Sequence, residues 1–136
     1  PAQPLPAALL EVTDLLVPNE HEATALTGET DPYRAARALL RQVPEIVVTL
    51  GAAGSLYATR DSAPLTVPAP KVRAVDTTAA GDTFVGALAA ATAGGRPMPE
   101  ALRWASAAAA LSVQRPGASA SMPAREAIDE LSRSTP

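Results

Sequence analysis

In the run Val75-Asp76-Thr77-Thr78-Ala79-Ala80-Gly81-Asp82-Thr83-Phe84, two carboxylates stand six positions apart around a turn of Thr, Ala and Gly. From Thr83 the chain continues through good helix formers, Phe84 to Ala91, so Asp82 is predicted to stand at the mouth of a helix. The small residues at 79–81 leave backbone N–H groups open to an incoming anion. Unsatisfied donors at a helix N-terminus favour negative charge, and together these features predict a phosphate site. A bound phosphate repels a neighbouring carboxylate, so a carboxylate kept there needs a task. Two tasks fit: taking the proton of an attacking hydroxyl, or helping to hold a cation. Asp82 is therefore the candidate base. A lone Gly-Asp before a helix is explained by the helix end alone, but a second acidic residue at Asp76 is more than a cap requires.

Three further segments have chemistry-bearing spacing, each with a purely structural explanation beside it. Asn19-Glu20-His21-Glu22 fits a capping box, with Asn19 as N-cap and Glu22 three positions on. Thr49-Leu50-Gly51-Ala52-Ala53-Gly54 is at its simplest a strand end and a glycine turn; it carries neither a Walker lysine nor a Rossmann glycine triplet. Ser112, Arg115, Gly117 and Ser121 flank a tight loop that suffices to connect two helices.

The elements that must position these residues follow from periodicity and turn chemistry. Leu15-Leu16-Val17 reads as a buried parallel strand stopped by Pro18. A helix opens at Asn19 and closes at Gly28, and a second runs from Asp31-Pro32 to about Gln42. Ile46–Leu50 reads as a buried strand; Gly51–Gly54 turns it into an antiparallel neighbour at Ser55–Ala58; Leu65–Val67 is a third short strand before an extended segment at Pro68 and Pro70. A helix from near Gly81 breaks at Gly94-Gly95, Pro97–Val113 forms a long Ala-rich helix, and a last amphipathic helix starts at Pro123 with Ile128 and Leu131 inward. Strands alternating with helices predict a layered α/β sheet with ligands at the strands' carboxyl ends, where the three motifs are expected to converge.

At 136 residues, 47% of them hydrophobic, the chain is one domain's worth of soluble globular material. A net charge of −3, a single lysine (Lys71) and 3% aromatic residues argue against nucleic acid as a partner. With no Cys there is no disulfide or thiolate metal site, and no apolar run reaches the length of a membrane span. No signal peptide is visible, so a cytoplasmic location is expected. The chain opens on Pro1 and its Met residues are Met98 and Met122, which reads as a fragment of a longer protein.

The stretch VDTTAAGDTF resembles the C-terminal signature of the ribokinase, or PfkB, family of sugar kinases. The similarity spans the whole chain but only the later half of that family's fold. It implies a layered α/β/α ribokinase-like sheet, C-terminal part only, with residues 1–136 a single partial domain lacking the sugar-binding half and its lid. It implies an ATP-dependent sugar kinase, with D-ribose as the best single substrate, in which Asp82 is the catalytic base facing the sugar hydroxyl and Ala79, Ala80 and Gly81 form the anion hole. Nucleotide contacts are implied for Asn19, Thr49, Leu50, Gly51, Ala52, Ala53, Gly54, Gly81 and Asp82, and for Ser106 near the adenosine. Glu22 is implied to place Mg²⁺ through water. Asp76, Thr78, Ser112, Arg115, Gly117 and Ser121 are implied to hold a monovalent cation, usually K⁺, largely through main-chain oxygens, a donor set suited to a hard cation. Two further expectations follow from the missing half. The chain should self-associate, as a homodimer for instance, or bind that half. Alternatively it serves as a non-catalytic nucleotide-binding or association module.

Overall fold

The computed structural model describes residues 3–117 and 123–135. Its elements are α1 (Ala7–Glu11), β1 (Leu15–Leu16), α2 (Glu20–Thr27), α3 (Pro32–Leu39), β2 (Glu45–Thr49), a 3₁₀ turn at Gly51–Ala53, β3 (Ser55–Thr59), β4 (Leu65–Val67), α4 (Ala80–Ala93), α5 (Met98–Ser112) and α6 (Arg125–Ser134). They group into two compact units: one runs to Gly51 and takes in Ser55–Thr66, the other holds Ala52–Gly54 and everything from Val67 on. No described helix is long and apolar enough to cross a membrane.

In the first unit the sheet order is β1-β2-β3-β4. β1 lies parallel to β2 with Leu15 opposite Glu45 and Leu16 opposite Ile46; β2 and β3 are antiparallel with Val48 opposite Leu56. Side chains alternate across a strand, so Ile46 and Val48 share a face with their partners Ala58 and Leu56. That face is the core, closed by Ala23 of α2 and Ala35, Ala36 and Leu39 of α3. The alanines let both helices lie close to the β-branched strand. β1 is only half-buried, not the buried strand expected, because it is two residues long and has one neighbour. α3 stops at Leu39, short of the Gln42 expected. Pro44 disfavours helical geometry at Val43, and the chain leaves through tighter bonds such as Gln42 N–H to the Leu39 carbonyl at 2.9 Å. The Arg60 Nε–H donates to the Leu40 carbonyl at 2.7 Å, serving the open helix end.

In the second unit α4 buries Thr83, Phe84, Leu88 and Ala91, a helical spacing, while Val85 on its other side is exposed. α5 is buried around most of its circumference, which its run of alanines permits. α6 starts at Arg125, two residues later than expected, and is fastened by one polar cluster. The Asp129 carboxylate accepts from Trp104 Nε1–H at 2.7 Å and from Arg96 at 3.1 Å, and both donors hold its pKa below the usual carboxylate value. The guanidinium carbons of Arg96 and Arg125 lie 5.0 and 5.9 Å from the centre of the Trp104 ring.

Candidate functional site

The N-terminus of α4 is uncapped. Ala79 stands at the cap position and offers no side-chain hydrogen bond. Ala80 N–H is used in a turn to the Thr77 carbonyl at 3.2 Å, and Thr83 N–H begins the helical ladder to the Ala79 carbonyl at 2.9 Å. Among the described residues, no acceptor meets the N–H of Ala79, Gly81 or Asp82. These are the orphan donors every helix start leaves, in a form that suits an anion. Gly81 is exposed, and a β-carbon built on it meets no atom within 4 Å. Packing therefore does not demand a glycine there, and its absent side chain leaves the amide approachable. Asp82 is exposed in the first turn and makes no hydrogen bond among the described residues.

Asp76 is placed very differently. One carboxylate oxygen accepts from both the Thr78 amide, at 2.9 Å, and the Thr78 hydroxyl; the other accepts from the Gly117 amide at 3.0 Å. The Thr78 hydroxyl, then the Gly117 and Thr78 amides, pull its pKa down to about 2. The amides of Val75 and Asp76 both donate to the Val113 carbonyl, at 2.6 and 3.0 Å. Asp76, Thr78 and Gly117 are thus brought together as expected, with Val113 as a member that sequence reasoning missed. Ser112 is buried and its hydroxyl turns back to the Ala109 carbonyl at 2.8 Å; Arg115 is exposed in the bend that follows; Ser121 lies outside the described residues. A carboxylate and main-chain carbonyls are the oxygen donors a hard monovalent cation takes, so the chemistry of this group fits such an ion.

In the first unit the capping box is complete: Glu22 N–H donates to Asn19 Oδ1 at 2.8 Å and Asn19 N–H to Glu22 Oε2 at 2.9 Å. An isolated parallel bridge joins Asn19 to Thr49, and Thr49 N–H donates to the Pro18 carbonyl at 2.9 Å. Two of the sequence-predicted site residues are therefore neighbours, because β1 runs parallel to β2 and both end at this point. The second oxygen of Glu22 carries no hydrogen bond among the described residues. A divalent cation there would have to draw most of its oxygens from water and phosphate, since the described residues form no cluster of three metal-ligating side chains.

The glycine loop divides between roles. Leu50 packs against the first unit's core, and Gly51 turns the chain at φ 57. Ala52 and Ala53 are exposed in the 3₁₀ turn. Gly54, in the second unit, has φ 104, and a β-carbon there would lie 2.0 Å from the Val67 carbonyl oxygen and 2.8 Å from the Ala69 nitrogen. Among the described residues, two buried hydroxyls have no hydrogen-bond partner: Ser106 Oγ on α5 and Ser55 Oγ at the start of β3. Burying a hydroxyl unpaired costs about 1–3 kcal/mol, which makes Ser106 a group awaiting a donor or acceptor. Ser55 was not singled out from sequence, where a serine after a glycine turn carries no signal.

Comparison with known proteins gives these arrangements a context. Residues 1–125 match the family model described as pfkB family carbohydrate kinase. A ribokinase of Schizosaccharomyces pombe is 37% identical over 138 residues, covering 95% of this chain and 43% of that protein. Among solved structures, Arabidopsis thaliana ribokinase complexed with ribose and ATP superposes with a TM-score of 0.91 at 38% identity, over 96% of this chain and 44% of that one. An Escherichia coli putative ribokinase II in complex with ATP and Mg²⁺ gives 0.85 at 32% identity, over 94% and 42% of the two chains. Escherichia coli phosphofructokinase-2 in complex with potassium gives 0.81 at 25%, over 94% and 43%. The chain spans less than half the length of the ribokinases it matches, aligning with their C-terminal part. Its mixed sheet and helices are part of a ribokinase-like α/β fold, and the chain belongs to the pfkB family of carbohydrate kinases.

Proposed function

We propose that the protein carries out ATP-dependent phosphorylation of a sugar hydroxyl, with ribose as the substrate, and that these 136 residues are its nucleotide-binding and catalytic part. The observation that carries this reading is the N-terminus of α4, where among the described residues the Asp82 carboxylate has no hydrogen-bond partner and the amides of Ala79 and Gly81 no acceptor. Asp82 takes the proton of the attacking sugar hydroxyl. The phosphoryl transfer transition state is loose, so the proton leaves late and an ordinary carboxylate suffices as base. The amides of Ala79 and Gly81 hold the charge developing on the transferred group, without reorganising as it forms.

Two ions fit this chemistry. When bound with ATP, Mg²⁺ neutralises phosphate charge, and the free oxygen of Glu22 is the group to face its hydration shell. A potassium ion would take what acceptor capacity remains on Asp76 together with main-chain carbonyls. In the first unit Asn19 and Thr49 are assigned to nucleotide contacts, and in the second Gly54 and Ser106.

The test is Asp82→Asn in the enzyme carrying the preceding segment that its relatives possess. Asn preserves shape and removes the proton acceptor, so turnover should fall by roughly two to four orders of magnitude with nucleotide affinity little changed. Near-normal turnover would refute the assignment, because a merely structural Asp at a helix start tolerates Asn.

The 43% coverage of the fission-yeast ribokinase favours a second reading for these residues taken alone, namely nucleotide binding without turnover and association with a partner. β1 has a single neighbour, and Leu9 and Val12 are 50% and 77% exposed, so a second copy or the complementary half has an edge and apolar surface to meet. Sedimentation should show self-association of the isolated chain, and a strictly monomeric species would count against it.

A further inference from the structure

Helix α3 carries a charge pattern that its own fold does not ask for. Its inner side is Ala35, Ala36 and Leu39; exposed opposite them are Arg34 and Arg37, with Arg41 on the turn that follows. Residues three and four apart stand over one another on a helix, so these three guanidinium groups form one row about 10 Å long. Arg60, exposed directly after β3, is held at the helix's C-terminal end by its bond to the Leu40 carbonyl and keeps its other N–H donors. Residues 32–44 hold no acidic side chain. The flanking carboxylates are engaged elsewhere, Asp31 by the Tyr33 amide at 2.9 Å and Glu45 by the Tyr57 hydroxyl. Among the described residues the one ion pair joins Arg96 to Asp129, so none of the four arginines, Arg60 beside Asp61 included, has a carboxylate partner. A helix face that is merely solvated mixes both signs and pairs them at these spacings. Here like charges stand at those spacings, which disfavours the helix, and Arg34 sits in the first turn, where the partial positive charge of the helix end disfavours a cation. The helix dipole accounts for Arg37, Arg41 and Arg60 at the far end but not for Arg34. The fold thus bears a repulsion that an anionic partner would relieve.

We propose that the outer face of α3, with Arg60, is a docking surface for an acidic segment of a partner protein that sets three or four carboxylates along the arginine row. The planar guanidinium fork takes a carboxylate through two parallel N–H bonds, and a row of this length suits the acidic side chains of one helix or strand. The chain's net charge of −3 opposes a long polyanion such as nucleic acid, or an anionic membrane, that extends beyond this patch, whereas a short acidic segment meets the row alone. Tyr33, 47% exposed at the N-terminal end of the row, offers a ring to the segment's apolar groups. The surface lies wholly in the first unit and is independent of the catalytic reading of α4.

The experiment titrates the ¹⁵N-labelled 136-residue chain, followed by NMR, with a synthetic twelve-residue peptide carrying glutamate at every third or fourth position, and with its glutamine counterpart. At low salt the glutamate peptide should shift the amides of residues 33–42 and of Arg60, the glutamine peptide should not, and salt at about 0.5 M should remove the shifts. The triple variant Arg34→Gln, Arg37→Gln, Arg41→Gln should bind the glutamate peptide at least about tenfold more weakly. It should also melt no lower than the parent, because the repulsion along the row is gone. Arg34→Gln alone, the smallest disturbance of the fold, should weaken binding about twofold and raise the melting temperature. Shifts centred elsewhere, binding unchanged in the triple variant, or a melting temperature lowered by Arg34→Gln, which would mean that the row serves the fold, would each overturn the proposal. So would an RNA oligonucleotide or vesicles of anionic lipid that occupy the row more tightly than the glutamate peptide.

Discussion

Gly54 and Gly81 both belong to stretches that sequence singles out for ligand contact, yet the fold treats them in opposite ways. At Gly54 the backbone of residues 67–69 comes so near that a side chain has nowhere to go, and φ is in the left-handed range; at Gly81 the space is empty. The first glycine is explained by the protein's own chain and the second is not. The same division runs through the polar groups: Asp76 accepts three protein donors, while Asp82 accepts none among the described residues. What the fold has closed is architecture, and what it has left open is where the proposed ligand contacts fall.

The largest effect expected from this contrast is at Gly54. Gly54→Ala forces backbone at Val67 and Ala69 to move and strains φ as well, so it should cost at least about 3 kcal/mol or abolish folding. Chemical denaturation decides it, and a variant as stable as the parent would erase the distinction. Gly81→Ala should do the reverse. The clear space and the helical setting should keep stability within about 1 kcal/mol of the parent, while the added methyl group at the amides should weaken MgATP binding measured by calorimetry. Ser106→Ala sharpens the point at smaller cost. Removing a buried hydroxyl that has no partner should leave the free chain unchanged or more stable by about 1 kcal/mol, and should lower the stabilisation that saturating nucleotide confers. If Ser106→Ala destabilises the free chain, the hydroxyl was serving the fold after all.

The smallest effect concerns a closed pair in the first unit. Tyr57 donates its hydroxyl to Glu45, and burial, then that bond and the nearby carboxylate, raise its pKa from 10.0 to about 12. A raised folded-state pKa means the contribution is fully present below pH 10, where folded and unfolded chains are both protonated, and is lost as pH rises towards 12. In a Tyr33→Phe background the ultraviolet titration should show this displacement, and Glu45→Gln should reduce it without touching nucleotide binding.

How much of this was legible beforehand depended on the range of the interaction. The capping box of Asn19 and Glu22, the Gly28 stop and the Asp31-Pro32 start are written within a few residues, and each is where the sequence places it. β2 was recognisable as a β-branched run between Pro44 and Gly51, β3 as the strand that the Gly51–Gly54 turn leads into, and β4 as a short run ahead of Pro68. α1 escaped notice because five residues hold too little periodicity to detect. The need for Gly54 was hidden for another reason, since its neighbours Val67 to Ala69 are distant in sequence and only the fold brings them near. Val113 was missed because a main-chain carbonyl has no residue type to read, and Asp129 because its partners Arg96 and Trp104 lie on other elements.

Trp104 is the chain's only tryptophan. Its indole N–H is tied to Asp129 of α6, and two guanidinium groups stand near its ring. The protein thus carries a built-in optical gauge for its last helix: emission from a single fluorophore reports whether α6 is seated. Because Trp104 and Arg96 hold the Asp129 pKa below the ordinary carboxylate value, the Asp129 share of this seat is present above the carboxylate range and is lost as the pH falls through that lowered value. An acid titration followed by fluorescence therefore reads the contact that ties Trp104 to α6, with no label attached.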